Sequence, residues 1–362
     1  MIVYLIVAII ALLVQFYPAK TDKQYWWRTV VSFIPLFLFM ALRKDYGFDE
    51  NGYHAFFDNV HTSQNIFDVN DHMEKGYAIL NKIMPTYQAL IAFISFINCW
   101  ALSYLVYRYV PQKYSWLAVF LIFFTPGATI FFMISGIRNG LSASLLILST
   151  CFLVGEKRRL IPFAIMGVLA ASIHTSALAM YAVFYLFSSR SPISSRKMLI
   201  WLIAMLVAMF ASLSALADSA MPVIELFMGR YVEQVESLAE IADERGVMAA
   251  MLGIAFAIGI IVFLREEQKN RIVNEGNKIV LFKWALFHCF SFTLGVLGGR
   301  TSQYTIYFFI VATVNVFAYW KQPFYKYGYL LIVLYLYKLS LNGWLSNPMF
   351  PYWVYRSVIG DF

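Results

Sequence analysis

Apolar runs long enough to cross a bilayer recur along the whole chain, and few folds are open to such a sequence. A helical crossing takes about 20 residues. On that measure spans are expected near 1–17, 29–42, 84–107, 114–133, 139–154, 160–173, 175–188, 198–217, 247–264, 279–298, 302–320 and 328–341. The stretch 160–188 reads as a broken pair, because His174, Thr175 and Ser176 in "ASIHTSAL" make a poor bilayer midpoint. The expected fold is therefore all-α and polytopic, with about 12 transmembrane helices. With no Gly/Ser or Pro linker and no strong internal repeat, residues 1–362 read as one transmembrane domain.

Composition agrees: 61% of residues are hydrophobic and only 13% charged, against roughly 25% charged in soluble domains. Lipid must be the main solvent. The formal charge of +8 would suggest nucleic acid in a soluble protein, but here it is an orientation signal. With the N-terminus outside, the basic loops "KTDKQYWWR", "EKRR", "SRSPISSRK", "REEQKNR" and "KQPFYK" all fall on the cytoplasmic side. Of the 20 acids, only Asp22, Glu156, Glu266, Glu267 and Glu275 join them. The first segment has its cations after the apolar run, the reverse of a signal peptide, so it reads as a retained span. Cys99, Cys151 and Cys289 sit in apolar runs without CxxC spacing and read as small core residues.

Two long charged loops then face outward, at about 43–83 and 218–246. In the second, "VEQVESLAEIADE" has the spacing of an amphipathic helix at the interface or a solvated connector. The first gathers Arg43, Lys44, Asp45, Asp49, Glu50 and His54 within twelve positions. Aromatic residues from Trp344 to Tyr355 fit an aromatic belt or a sugar-stacking surface.

Cations placed against the positive-inside trend are the informative ones. Arg43 ends the second span, while Arg138, His174 and Arg300 each precede a helix running from outside to inside. Ser135 and Asn139, Thr175 and Ser176, and Thr301 and Ser302 flank them as capping residues. Cations beside helix N-termini suit an anion, above all phosphate or pyrophosphate. An interfacial snorkel to lipid headgroups is the plain alternative for each Arg taken alone. Asp49, Glu74 and His174 lie on the same side and could take a proton from an attacking hydroxyl. His54, His61 and His72 match no standard metal spacing, so no metal or other cofactor is expected. No P-loop or strand-borne GxGxxG appears.

The ordered set Arg43–x3–Gly47–x–Asp49–x3–Tyr53, "EKGYAIL", "GIRNGLSASLL", "IHTSAL" and "GRTSQY" resembles the EpsG family of Wzy-like bacterial polysaccharide polymerases. Asn139 stands where the family often has Gln. The resemblance implies a metal-independent GT-C-type glycosyltransferase making an O-antigen or exopolysaccharide at the outer face of the bacterial cytoplasmic membrane. It implies a substrate, an oligosaccharide on undecaprenyl pyrophosphate, passed en bloc to the non-reducing end of the next unit. It also allows a chain-length regulator as a partner. Arg138 and Arg300, with Arg43 assisting, would hold the pyrophosphates; Asp49, His174 and Glu74 are the candidate bases. A flippase for the same lipid would need charges along a path open to both sides, and Lys283, His288 and Lys338 are few for that. An O-antigen ligase is the nearest rival enzyme. An acyltransferase would want its histidine deep or cytoplasmic, whereas His174 is expected to face out.

Overall fold

The computed structural model describes residues 2–44, 47, 49–66, 69, 73–125, 129, 133–154, 157–191, 194–210, 253–265, 276–291 and 295–345. These residues are helical, with no β-strand among them. They fall into two compact units, Met1–Tyr185 with Thr313–Phe362, and Leu186–Ala312.

In the first unit the helices are α1 (Ile2–Gln15), α2 (Asp22–Ala41), α3 (Glu50–Thr62), α4 (Lys75–Ile83), α5 (Tyr87–Tyr109), α6 (Ser115–Phe124), α7 (Ile137–Val154), α8 (Leu160–Ile173) and α9 (Ala177–Leu186). A capping box on Thr21 and Gln24 starts α2 seven residues before the expected span. Among the described residues, α5 and α7 are long and apolar enough to cross a membrane, and α1, α6, α8 and α9 are shorter apolar helices. The outer faces of α1 and α8 expose Ile6, Ile9, Leu13, Ile161, Ile165 and Val168, apolar surface that suits lipid rather than water. The protein is a helical membrane protein.

Interhelical contacts rest on small and polar residues, as expected where lipid removes the hydrophobic drive between helices. Ser142, Ser144 and Thr150 of α7 are fully buried. Ser142 Oγ donates to the Ala170 carbonyl of α8 (3.1 Å), and Ser144 Oγ to Asn98 Oδ1 of α5 (2.8 Å). Helices α2 and α5 run antiparallel: the Tyr25 hydroxyl donates to the Val110 carbonyl at one end, and Gln88 Nε2 to the Ala41 carbonyl at the other.

Helix ends therefore gather at two opposite ends of this unit. At one, Arg28 donates to the Tyr17 carbonyl (2.9 Å), the Gln112 carbonyl (3.2 Å) and Ser115 Oγ (2.9 Å), tying together the loops rich in Lys and Arg. The opposite end holds the polar segment 43–83, which folds into α3 and α4. Tyr53, Phe56, Val60 and Tyr77 from these two pack on Leu90, Ile94, Ile137 and Leu141 of α5 and α7. Lys82 of α4 donates to the Val60 (3.0 Å), His61 (3.3 Å) and Ser63 (3.3 Å) carbonyls, capping the negative end of α3.

One expected span needs adjusting. The span near 114–133 is shorter: α6 stops at Phe124, and Thr125, which precedes Pro126, is extended, since proline disfavours α geometry in its predecessor. A π-turn at 133–135 then leads into α7. The break inside 160–188 falls where expected, at His174–Ser176. Helices α8 and α9 fold back on each other, with Tyr181 on Phe163 (ring centroids 4.9 Å) and against Gly167.

In the second unit, α10 (Ser195–Phe210), α11 (Gly253–Arg265), α12 (Gly276–Ser291) and the first part of α13 (Gly295–Tyr319) pack through aromatic rings. Trp284 of α12 meets Phe308 of α13 (5.1 Å) and Trp201 of α10 meets Phe290 (5.5 Å). The end of α13 and α14 (Pro323–Leu345) belong to the first unit, where Asn315 Nδ2 donates to the Tyr109 carbonyl (2.8 Å). The expected interfacial helix in 218–246 and the chain beyond Leu345 lie outside the described residues.

Gly76 lets α4 touch α8: a Cβ there would lie 2.5 Å from the Ser172 carbonyl oxygen and 2.6 Å from its Cβ. Gly76→Ala should cost about 1–3 kcal/mol through overpacking. Gly52→Ala on exposed α3, where a Cβ meets nothing within 4 Å, should instead gain up to about 1 kcal/mol of helix propensity. Thermal unfolding of the two variants in detergent checks the opposite signs.

Candidate active site

Helix α4 begins directly after Glu74, which has the extended backbone of an N-cap but makes no side-chain cap bond. The carboxylate serves three other elements instead. Glu74 Oε2 accepts from Arg138 in the first turn of α7. Glu74 Oε1 lies 3.1 Å from His174 Nδ1 and also accepts from the Thr175 backbone N–H (3.0 Å) and hydroxyl (3.3 Å), at the break between α8 and α9. One side chain thus joins residues 64 and 100 positions away.

The electrostatics are lopsided. Burial works to raise the Glu74 carboxyl, but the hydrogen bond from His174, the Arg138 charge and the Thr175 N–H together hold it at about 2. Arg138 lies over two rings, Tyr53 and Tyr77, each 5.8 Å away. The Tyr53 phenol is pushed up, chiefly by burial, with Arg138 opposing and the Asp49 and Glu74 charges adding. Arg138 Nε and His174 Nε2 are buried with no partner among the described residues, although buried polar atoms are nearly always satisfied.

Of the residues singled out from sequence, Glu74, Arg138 and His174 come together here. Asp49 stands one helical turn before Tyr53, exposed at the start of α3, with no cap bond from its side chain. Arg43 does not reach the cluster by contact. It is 1% exposed and faces Glu50 (3.5 Å), and its backbone is held by Gln88 Nε2 (3.4 Å). Behind it Gly47 sits at φ 143°, where a Cβ would lie 3.4 Å from the Ile134 carbonyl oxygen and from Ser135 Cα. Arg300 belongs to the other unit. It was expected just before a helix, but α13 starts at Gly295 and takes Gly298 and Gly299 into its first turns, tertiary context overriding weak propensity. The Arg300 side chain lies outside the described residues, as does His72. His54 pairs with Asp58 (3.2 Å), and His61 lies against the Phe57 and Met84 carbonyls, so each is engaged within the α3–α4 region.

Sequence reading missed roles for Tyr53, Tyr77, Glu50 and the Thr175 backbone. The available signal was the "EKGY" start of α4, which puts Glu74 and Tyr77 three positions apart.

The sequence profile of the EpsG family matches residues 25–357, a range that contains Glu74, Arg138 and His174. The chain belongs to the EpsG family. EpsG is a Wzy-like polysaccharide polymerase family. No curated protein and no solved structure matches the chain.

Because the folded Glu74 carboxyl sits at about 2, below the ordinary 4.5, its ion pairs contribute fully above 4.5 and fade as pH falls through 2. Melting temperatures of the wild type and Glu74→Gln should differ by several degrees at pH 7. That gap should hold down to about pH 5 and narrow below it.

Proposed function

We propose that this EpsG-family protein lengthens a polysaccharide at the outer face of the bacterial cytoplasmic membrane. The basic loops tied by Arg28 mark the cytoplasmic end by the positive-inside rule. The Glu74 cluster, at the opposite end, then faces out, with both termini on that side. About 12 spans in a GT-C-like arrangement complete this reading.

The substrate is an oligosaccharide repeat unit on undecaprenyl pyrophosphate. A hydroxyl at the non-reducing end of one unit attacks the anomeric carbon that joins the other glycan to its carrier. The glycan moves en bloc and the carrier leaves as its pyrophosphate. Arg138 and Arg300 hold the pyrophosphates and offset the growing negative charge, without nucleotide or metal. Arg43 assists at one remove, bracing the wall through Glu50. Asp49, His174 and Glu74 are the groups from which the base is drawn.

The observation that carries the reading is the grip of one ionised carboxylate on both a cation and an imidazole. Glu74 holds Arg138, suited to a leaving pyrophosphate, and His174, suited to a reacting hydroxyl, in one polar cluster.

Purified protein reconstituted with a short lipid-linked repeat unit should produce a ladder of lengthening glycans on a gel. Arg138→Ala and Arg300→Ala should each lower elongation at least about 100-fold while the protein stays in the membrane. Arg138→Lys, which keeps the charge but loses the fork, should fall between. Near-normal chain length in both alanine variants would sink the assignment.

A further inference from the structure

We propose that His174 is the proton acceptor of the transfer, acting through Nε2, and that Glu74 and Thr175 are positioning residues that hold its ring in the Nδ1–H form. This deepens the polymerase reading above and rests on it.

The tautomer follows from the partner. A carboxylate only accepts, so the nitrogen 3.1 Å from Glu74 Oε1 must carry the hydrogen. In the neutral ring the lone pair then sits on Nε2, on the far side from Glu74. Nε2 has no partner among the described residues, and the His174 side chain is only 6% exposed. A buried acceptor left unpaired is costly unless something else uses it.

The backbone holds the ring in place. His174 N donates to the Ala170 carbonyl (2.9 Å), ending α8, and its own carbonyl accepts from Ala177 N (3.0 Å), starting α9. Thr175 N and Oγ1 meet the same Glu74 oxygen as the ring. The close approach of Gly76 to Ser172 sets the distance between α4 and this break.

The two carboxylate oxygens divide the work. Oε1 orients the base and Oε2 anchors Arg138. In the step, the acceptor hydroxyl gives its proton to Nε2 as its oxygen bonds to the anomeric carbon. The bond from that carbon to the pyrophosphate oxygen breaks, and its electron pair leaves with the carrier. The imidazolium left behind faces the Glu74 carboxylate, which offsets its charge. Glu74 itself, held at about 2, is too weak a base to take the proton. Among the described residues the charged groups facing His174 are Glu74 and, through it, Arg138; α8 and α9 contain no charged residue.

The test pairs nitrogen NMR with kinetics on the full chain in lipid nanodiscs. With only 5 histidines, selective ¹⁵N-histidine labelling and His174→Gln assign the His174 signals. In the unmutated protein Nδ1 should appear protonated and Nε2 bare, and Glu74→Gln should give mixed tautomers. On the lipid-linked repeat unit, His174→Gln should slow elongation at least about 100-fold and remove the one-proton acidic limb of the pH–rate profile. Thr175→Val should cost a few-fold in kcat with KM unchanged. A protonated Nε2 with a bare Nδ1 in the wild type overturns the proposal whatever the kinetics. So does His174→Gln elongating within about threefold of wild type with its acidic limb intact, and loss of that limb in Asp49→Asn would then name Asp49 as base with the polymerase reading still standing. If the wild type never lengthens the lipid-linked unit, the polymerase reading itself fails.

Discussion

The candidate site at the polar end of this bundle is organised around the Glu74 carboxylate. Two oxygens receive Arg138 from α7 and His174 with Thr175 from the α8–α9 break. Burying a carboxylate costs several kcal/mol unless it is paired and hydrogen-bonded. Here a guanidinium, an imidazole, a backbone N–H and a hydroxyl share it. The result is a carboxylate that stays ionised far below its ordinary range and so fixes the groups that touch it. Removing it would leave Arg138, which is itself mostly buried, facing two tyrosine rings without its carboxylate partner.

Such a cluster needs a rigid mount, and the membrane helices provide one. Ser142, Ser144, Asn98 and the Ala170 carbonyl link α5, α7 and α8 by buried hydrogen bonds. The α3–α4 pair then rests its aromatic face on the ends of α5 and α7, so Glu74 arrives from the side on a folded element rather than a loose loop. The chain break at His174–Ser176 is what brings an imidazole and a free N–H to the same place. In an unbroken helix those backbone groups would be consumed by the i to i−4 ladder.

Much of this was legible in the chain. The polar interruption "IHTSAL", the cation in "GIRNG" and the acid in "EKGY" each stood out against apolar surroundings, where a charge is expensive and so carries information. The same reasoning was weaker at Arg43 and Arg300. Arg43 was equally conspicuous, yet it is buried against Glu50. A one-dimensional pattern cannot distinguish a cation facing a ligand from one facing a neighbour seven positions on. Arg300 was expected just before a helix, but α13 already runs from Gly295. Helix propensity is a weak prior once neighbours pack.

The sequence by itself determined the class of protein, the alternation of basic and acidic loops, and which polar residues stand out against the apolar spans. It could do so because the bilayer imposes length and charge rules that act locally along the chain. Only the tertiary structure decided which acid meets which base. Glu74 and His174 are 100 positions apart, and nothing in the spacing of either motif encodes that distance. It is set by the packing of α4 on α8, where Gly76 permits a backbone contact that any side chain would block. The division of Glu74's two oxygens between a cation and an imidazole arises from that contact.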